Sequence, residues 1–149
     1  MYVGYPRIDG RLFRVYIEQR ENDELTEFLY RFTYYEDGSW PSAWTSAGIP
    51  APTFTAIPGV IDMNEFNESI RDYGSYSTYI KLWGANLSNY ASTLRANGFT
   101  DPEYSSFWGS DNRWELTKQV QINGQSFNVS IEERENDEIP EIYISFRRA

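Results

Sequence analysis

The chain has 149 residues, the length of one ordinary domain, and its 40% hydrophobic and 17% aromatic content is too much large apolar surface for a disordered chain. A formal charge of −9 with no basic stripe argues against a nucleic-acid backbone or an anionic membrane as partner. Cysteine and histidine are both absent, which excludes disulfides, Ser-His-Asp and Cys-His nucleophile systems and the ordinary zinc and non-haem iron sites, leaving carboxylates as the strong acid/base groups near neutral pH.

In chain order, the first feature is half of a repeat. Shifted by 114 positions, IDGRLFRVYIEQRENDELTEFLYRF (8–32) falls without a gap on INGQSFNVSIEERENDEIPEIYISF (122–146), with thirteen identities in twenty-five positions. Such self-similarity announces a reused supersecondary unit. Asp9-Gly10 and Asn123-Gly124 are the dipeptides of a two-residue type I′ turn. After each turn the apolar residues alternate: Phe13, Val15 and Ile17 in the first copy, Phe127, Val129 and Ile131 in the second. On the return strands Phe28, Tyr30, Phe32 and Tyr34 correspond to a series Ile142, Ile144 and Phe146. Period two predicts a β-meander in each copy, with one face on a core.

The repeated hexapeptide, RENDEL at 20–25 and RENDEI at 134–139, therefore connects two strands. Its Asn, Asp and Glu residues suit a solvated turn. They also offer clustered oxygen ligands for Ca²⁺, from Glu21, Asp23 and Glu24 in one copy and Glu135, Asp137 and Glu138 in the other. The spacing matches no EF-hand loop, and the glycine of such loops is missing.

The region 37–113 separates the copies. Trp40 to Pro52 is rich in Pro, Gly and small residues and predicts an extended loop anchored by Trp40 and Trp44. Val60–Asn64 predicts a short strand, and Ser75–Trp83 a longer one with Tyr76, Thr78, Ile80 and Leu82 on one face. One main helix follows, capped by Asn86, with Leu87, Tyr90, Ala91 and Leu94 at helical spacing and Gly98 as its stop, so that Phe99 folds back on the helix end. The strand Trp114–Ile122 leads into the second turn. A two-residue turn places Val120 opposite Phe127 and Leu116 opposite Ile131, with Lys118 between them packing its stem and snorkelling its ammonium outward. The expected architecture is α+β, a single domain of internally repeated antiparallel β-meanders packed with one main α-helix.

DGSWPSAWTSAGIPAP, followed by YSTYIKL, NYASTLRANGF and a closing W…NGQSFNVSI…IYISF, resembles a group of small bacterial cell-envelope lipoproteins of unknown function. The resemblance spans roughly 37–146 and rests on structural punctuation, so it implies a location outside the cytoplasm but no catalytic residue. The start MYVGYPRIDG lacks the pattern of a signal peptide. An extracytoplasmic location, in the envelope or secreted, requires that an export segment has been removed; otherwise the location is cytoplasmic. No apolar run approaches the roughly 20 residues of a membrane-spanning helix.

These features favour a non-enzymatic binding or interaction module whose ligand is a glycan, a peptide or an envelope protein. Trp40, Trp44, Trp83 and Trp108 are the candidate platform, since aromatic rings stack on sugars and peptides; the alternative for each is burial in the core. A carboxylate glycoside hydrolase is the competing class, with Glu65, Asp72, Glu103 and Asp111 as candidates. A structural assembly component joined by strand addition at free sheet edges is the third.

Overall fold

The computed structural model describes residues 1–21, 24–35, 40–52, 61–82, 87–102, 114–134 and 140–149. The architecture is α+β, with two antiparallel four-stranded sheets and three helices among these residues.

The N-terminal sheet is built on β3 (Arg11–Glu21). One edge of β3 pairs with β4 (Thr26–Tyr35); the other pairs with the short β1 (Tyr2–Gly4) and β2 (Arg7–Ile8) in succession. In the C-terminal sheet the order is β5-β8-β7-β6, formed by β5 (Ser75–Lys81), β6 (Glu115–Ile122), β7 (Gln125–Arg134) and β8 (Glu141–Arg148). Both tight turns carry positive φ at both central residues, 51° and 77° at Asp9-Gly10 and 52° and 76° at Asn123-Gly124, as type I′ turns require.

Strand register is the same in the two sheets at an offset of 114. Tyr2 pairs with Ile17 as Leu116 does with Ile131, Gly4 with Val15 as Lys118 does with Val129, and Val15 with Phe32 as Val129 does with Phe146. What differs is burial. Phe127, Val129, Ile131, Ile142, Ile144 and Phe146 are all buried in the core, whereas Phe28, Tyr30 and Phe32, at the positions of the last three, are exposed. The expectation that the first meander also lays its apolar face on a core is therefore corrected.

The helices explain the difference, because they pack on the C-terminal sheet. α2 (Met63–Tyr73) and α3 (Leu87–Ala96) are of nearly equal length, so the helical layer is not one main helix. Of the strand expected at Val60–Asn64, Val60 lies outside the described residues and Met63-Asn64 begin α2 instead: Asp62 Oδ1 accepts from the backbone N–H groups of Asn64 at 2.8 Å and Glu65 at 3.4 Å, an N-cap. Part of the expected Trp40–Pro52 loop is likewise the short α1 (Ser42–Ser46), which buries Trp44. The Trp44 ring lies 4.8 Å from that of Phe146, tilted, and meets Phe66 edge-on at 5.9 Å, and Phe66 in turn meets Tyr76 at 5.3 Å.

α1 and α3 end in the same way. Gly48 and Gly98 adopt φ of 88° and 89°; Ile49 N–H returns to Trp44 O and Gly48 N–H to Thr45 O, as Phe99 N–H does to Leu94 O and Gly98 N–H to Arg95 O. These are two Schellman motifs. Phe99 is buried on the end of α3, as its position after Gly98 predicts. Lys118 joins the two ends: its Nζ donates to Asn97 O at 2.7 Å and to Gly48 O at 3.4 Å. The outward ammonium expected for Lys118 is thus replaced by one that caps two helix C-termini, where carbonyl oxygens and the helix dipole favour a cation. At the end of α2, Arg148 donates to Ile70 O at 2.8 Å.

Candidate functional site

The C-terminal sheet has two unlike faces. Even positions of β5, β6 and β8 and odd positions of β7 point into the core, so their neighbours in sequence form the opposite face. Strand pairing aligns these neighbours into rows that no single strand reveals. The central row is Ser77–Ser145–Ser130–Thr117, four hydroxyl side chains on four adjacent strands. On one side lies Tyr79–Tyr143–Glu132–Glu115; on the other, Ser75–Arg147–Asn128–Gln119. A groove of about 640 Å³ runs over this face, lined by the hydroxyl row together with Tyr143, Asn128, Glu115, Glu132, Arg134 and Arg147. That volume lies in the range typical of small-ligand sites.

Both glutamates of the groove are held by neighbouring side chains. Glu132 is buried and ion-paired with Arg134, and Ser130 Oγ donates to Glu115 Oε1 at 3.0 Å. Arg134 lies 5.0 Å from the ring centroid of Tyr143 and 5.9 Å from that of Tyr79; the two rings are 4.7 Å apart and tilted by 45°. Arg134 Nε is buried without a hydrogen-bond partner, so ring contact and the ion pair fix this guanidinium. Two arginines and two glutamates leave the groove formally neutral within a chain of charge −9. Hydroxyls that both donate and accept, a neutral field and an exposed Tyr79 ring suit a neutral, hydroxyl-rich ligand better than an ion.

The residues singled out from sequence lie elsewhere. Trp44 is fully buried, which withdraws it from any ligand platform. Trp40 is half-buried: its Nε1 donates to Ile49 O at 3.0 Å and its ring meets Trp44 edge-on at 5.3 Å, so it braces α1. Trp83 and Trp108 lie outside the described residues. Among the proposed calcium ligands, Glu21 ends β3 exposed and Glu24 is exposed beyond it, while Asp23, Glu135, Asp137 and Glu138 lie outside the described residues. Of the candidate acid/base carboxylates, Glu65 and Asp72 are exposed on α2, with Asp72 paired to Arg71 at 3.0 Å, and Glu103 and Asp111 lie outside the described residues. None of these described residues lines the groove.

Sequence reasoning missed the hydroxyl row because it depends on strand order. The available signal was the polar alternate position of each strand, which is also what plain solvent exposure produces. No helix among the described residues is long and apolar enough to cross a membrane. In comparisons with protein-family models, curated proteins and solved structures, none matches this chain.

Proposed function

We propose that the protein is a non-enzymatic binding module of the cell envelope that takes a saccharide on the polar face of its C-terminal sheet. The observation that carries this reading is the row Ser77–Ser145–Ser130–Thr117 with Tyr143 in one neutral groove, and the exposed Tyr79 ring 4.7 Å from that of Tyr143. Sugar hydroxyls exchange hydrogen bonds with such a row, and a pyranose ring lies against an exposed tyrosine. The lipoprotein resemblance supports the extracytoplasmic placement, and the shared register supports descent of the two meanders from one duplicated unit.

Calorimetric titration with cellohexaose, chitohexaose and maltohexaose tests the reading. At least one should bind, and Tyr79→Ala and Ser145→Val should each weaken it about tenfold, the equivalent of about 1.4 kcal/mol. Absence of binding at millimolar concentration, or binding indifferent to both variants, would refute it. A glycosidase reading draws on Glu115 and Glu132, which pair across β6 and β7. Both are engaged, with Ser130 and Arg134 respectively, which favours binding over turnover. Shortened products after prolonged incubation with the bound hexasaccharide would reverse that preference.

A further inference from the structure

The N-terminal sheet repeats the register of the C-terminal sheet, but among the described residues no helix packs on it as α2 and α3 do on the other, and the exposed part of its face, on β4 and β1, is aromatic. Continuous pairing of β3 with β4 puts Phe13, Val15 and Ile17 on one face with Phe28, Tyr30, Phe32 and Tyr34, and β1 adds Tyr2. Tyr2, Phe28, Tyr30, Phe32 and Tyr34 are each between 46% and 58% exposed. With about 200 Å² for a whole aromatic side chain, these five rings present roughly 500 Å². Ile8, Arg11 and Glu21 widen the patch toward the roughly 800 Å² that each partner contributes to a standard interface. A monomer's largest apolar patch is about 300–600 Å².

The same face carries one cation and one anion on β3, at opposite ends: Arg11, 5.7 Å over the Tyr34 ring, and Glu21, ten positions further on. Between them the face is uncharged. We propose that this face is a self-association surface, on which a second copy of the chain packs sheet to sheet about a two-fold axis perpendicular to the strands. Face-to-face sheets keep their strand directions within about 30°, so each strand lies over its own counterpart, running the other way. Arg11 then meets Glu21 of the partner subunit, and Glu21 meets Arg11 of the partner subunit. On β4, Phe28 meets Tyr34 of the partner subunit and Tyr30 meets Phe32 of the partner subunit. Every aromatic that β4 places on this face finds an aromatic, and each end charge finds its opposite, while the rest of the acidic chain stays outside the contact. This surface is separate from the saccharide groove, and its test does not depend on that reading.

Sedimentation velocity of the full chain, from low micromolar to several hundred micromolar, tests the proposal. The expected result is a reversible dimer that Tyr30→Lys abolishes. Arg11→Glu and Glu21→Arg should each weaken it tenfold or more, since each puts two like-charge pairs into the contact, and the double variant should recover most of the loss. Near-ultraviolet circular dichroism checks each variant for an intact fold. A monomer throughout, a dimer unmoved by Tyr30→Lys, or a double variant no better than the single ones would overturn the arrangement, the second result pointing to association through a sheet edge instead.

Discussion

Lys118 ties the helical layer together, because one ammonium serves the ends of α1 and α3. Lys118→Met keeps the packing stem and removes both hydrogen bonds, leaving Gly48 O and Asn97 O without their charged donor. A loss of about 2 kcal/mol is expected in urea unfolding. The two classes of glycine should separate in the same assay. At Gly124, with φ of 76° and nothing within 4 Å of an added Cβ, alanine costs only the left-handed conformation, about 1–2 kcal/mol. At Gly48 the added Cβ lies 2.6 Å from Lys118 Nζ, so Gly48→Ala carries that cost and also displaces the ammonium. Tyr90 gives a pH-dependent counterpart. Burial pushes its phenol up from an ordinary value of 10.0, and its hydroxyl donates to Pro50 O at 2.8 Å. The folded state therefore keeps the proton while the unfolded state loses it above pH 10, so this contribution is complete below pH 10 and falls as pH rises further. Tyr90→Phe should flatten the alkaline decline of stability while lowering stability at neutral pH through loss of the hydrogen bond. The sequence placed Lys118 on the core face, but not its function, because the carbonyls it meets belong to residues 70 and 21 positions away.

At the level of elements, the two hairpins show what periodicity conveys. Phe28, Tyr30 and Phe32 alternate as cleanly as Ile142, Ile144 and Phe146, and alternation correctly groups the residues that share a face. Whether anything covers that face depends on other segments, and among the described residues the helices cover the second copy and not the first. Ile144→Ala should accordingly cost about 2–5 kcal/mol, the range for emptying a packed core position. Tyr30→Ala, at the equivalent place, should cost under about 1 kcal/mol in the monomer, as surface substitutions do. α3 was legible because Leu87, Tyr90, Ala91 and Leu94 repeat at helical spacing before Gly98. α2 carried comparable signals in Asp62, the pair Phe66 and Ile70, and Gly74, yet the β-branched Val60-Ile61 just before the cap suggested a strand. Propensity over five residues was the weaker guide, and the N-cap with its C-terminal glycine the stronger.

Among the described residues, the buried cluster extends from Trp44 to Phe146 and draws none from the N-terminal sheet, although Leu12 and Val15 of that sheet are buried. Stability should be distributed in the same way. Amide hydrogen exchange is expected to be slowest in β7 and β8 and faster in β3 and β4, since cooperative opening follows buried apolar contact. The division also separates two surfaces: an aromatic face that no helix among the described residues covers on one sheet, and a neutral hydroxyl-lined groove on the other. The tryptophans that suggested a ligand platform in the sequence include the centre of the core, whereas the groove's central row of Ser77, Ser145 and Ser130 comes together only through strand order. Amide chemical-shift mapping during titration with the best-binding hexasaccharide is the most direct test of that assignment. Shifts clustered at Ser77, Tyr79, Asn128, Ser130, Tyr143 and Ser145, with Trp40 and Trp44 unmoved, are predicted; shifts centred on α1, or scattered without a cluster on this face, would contradict it.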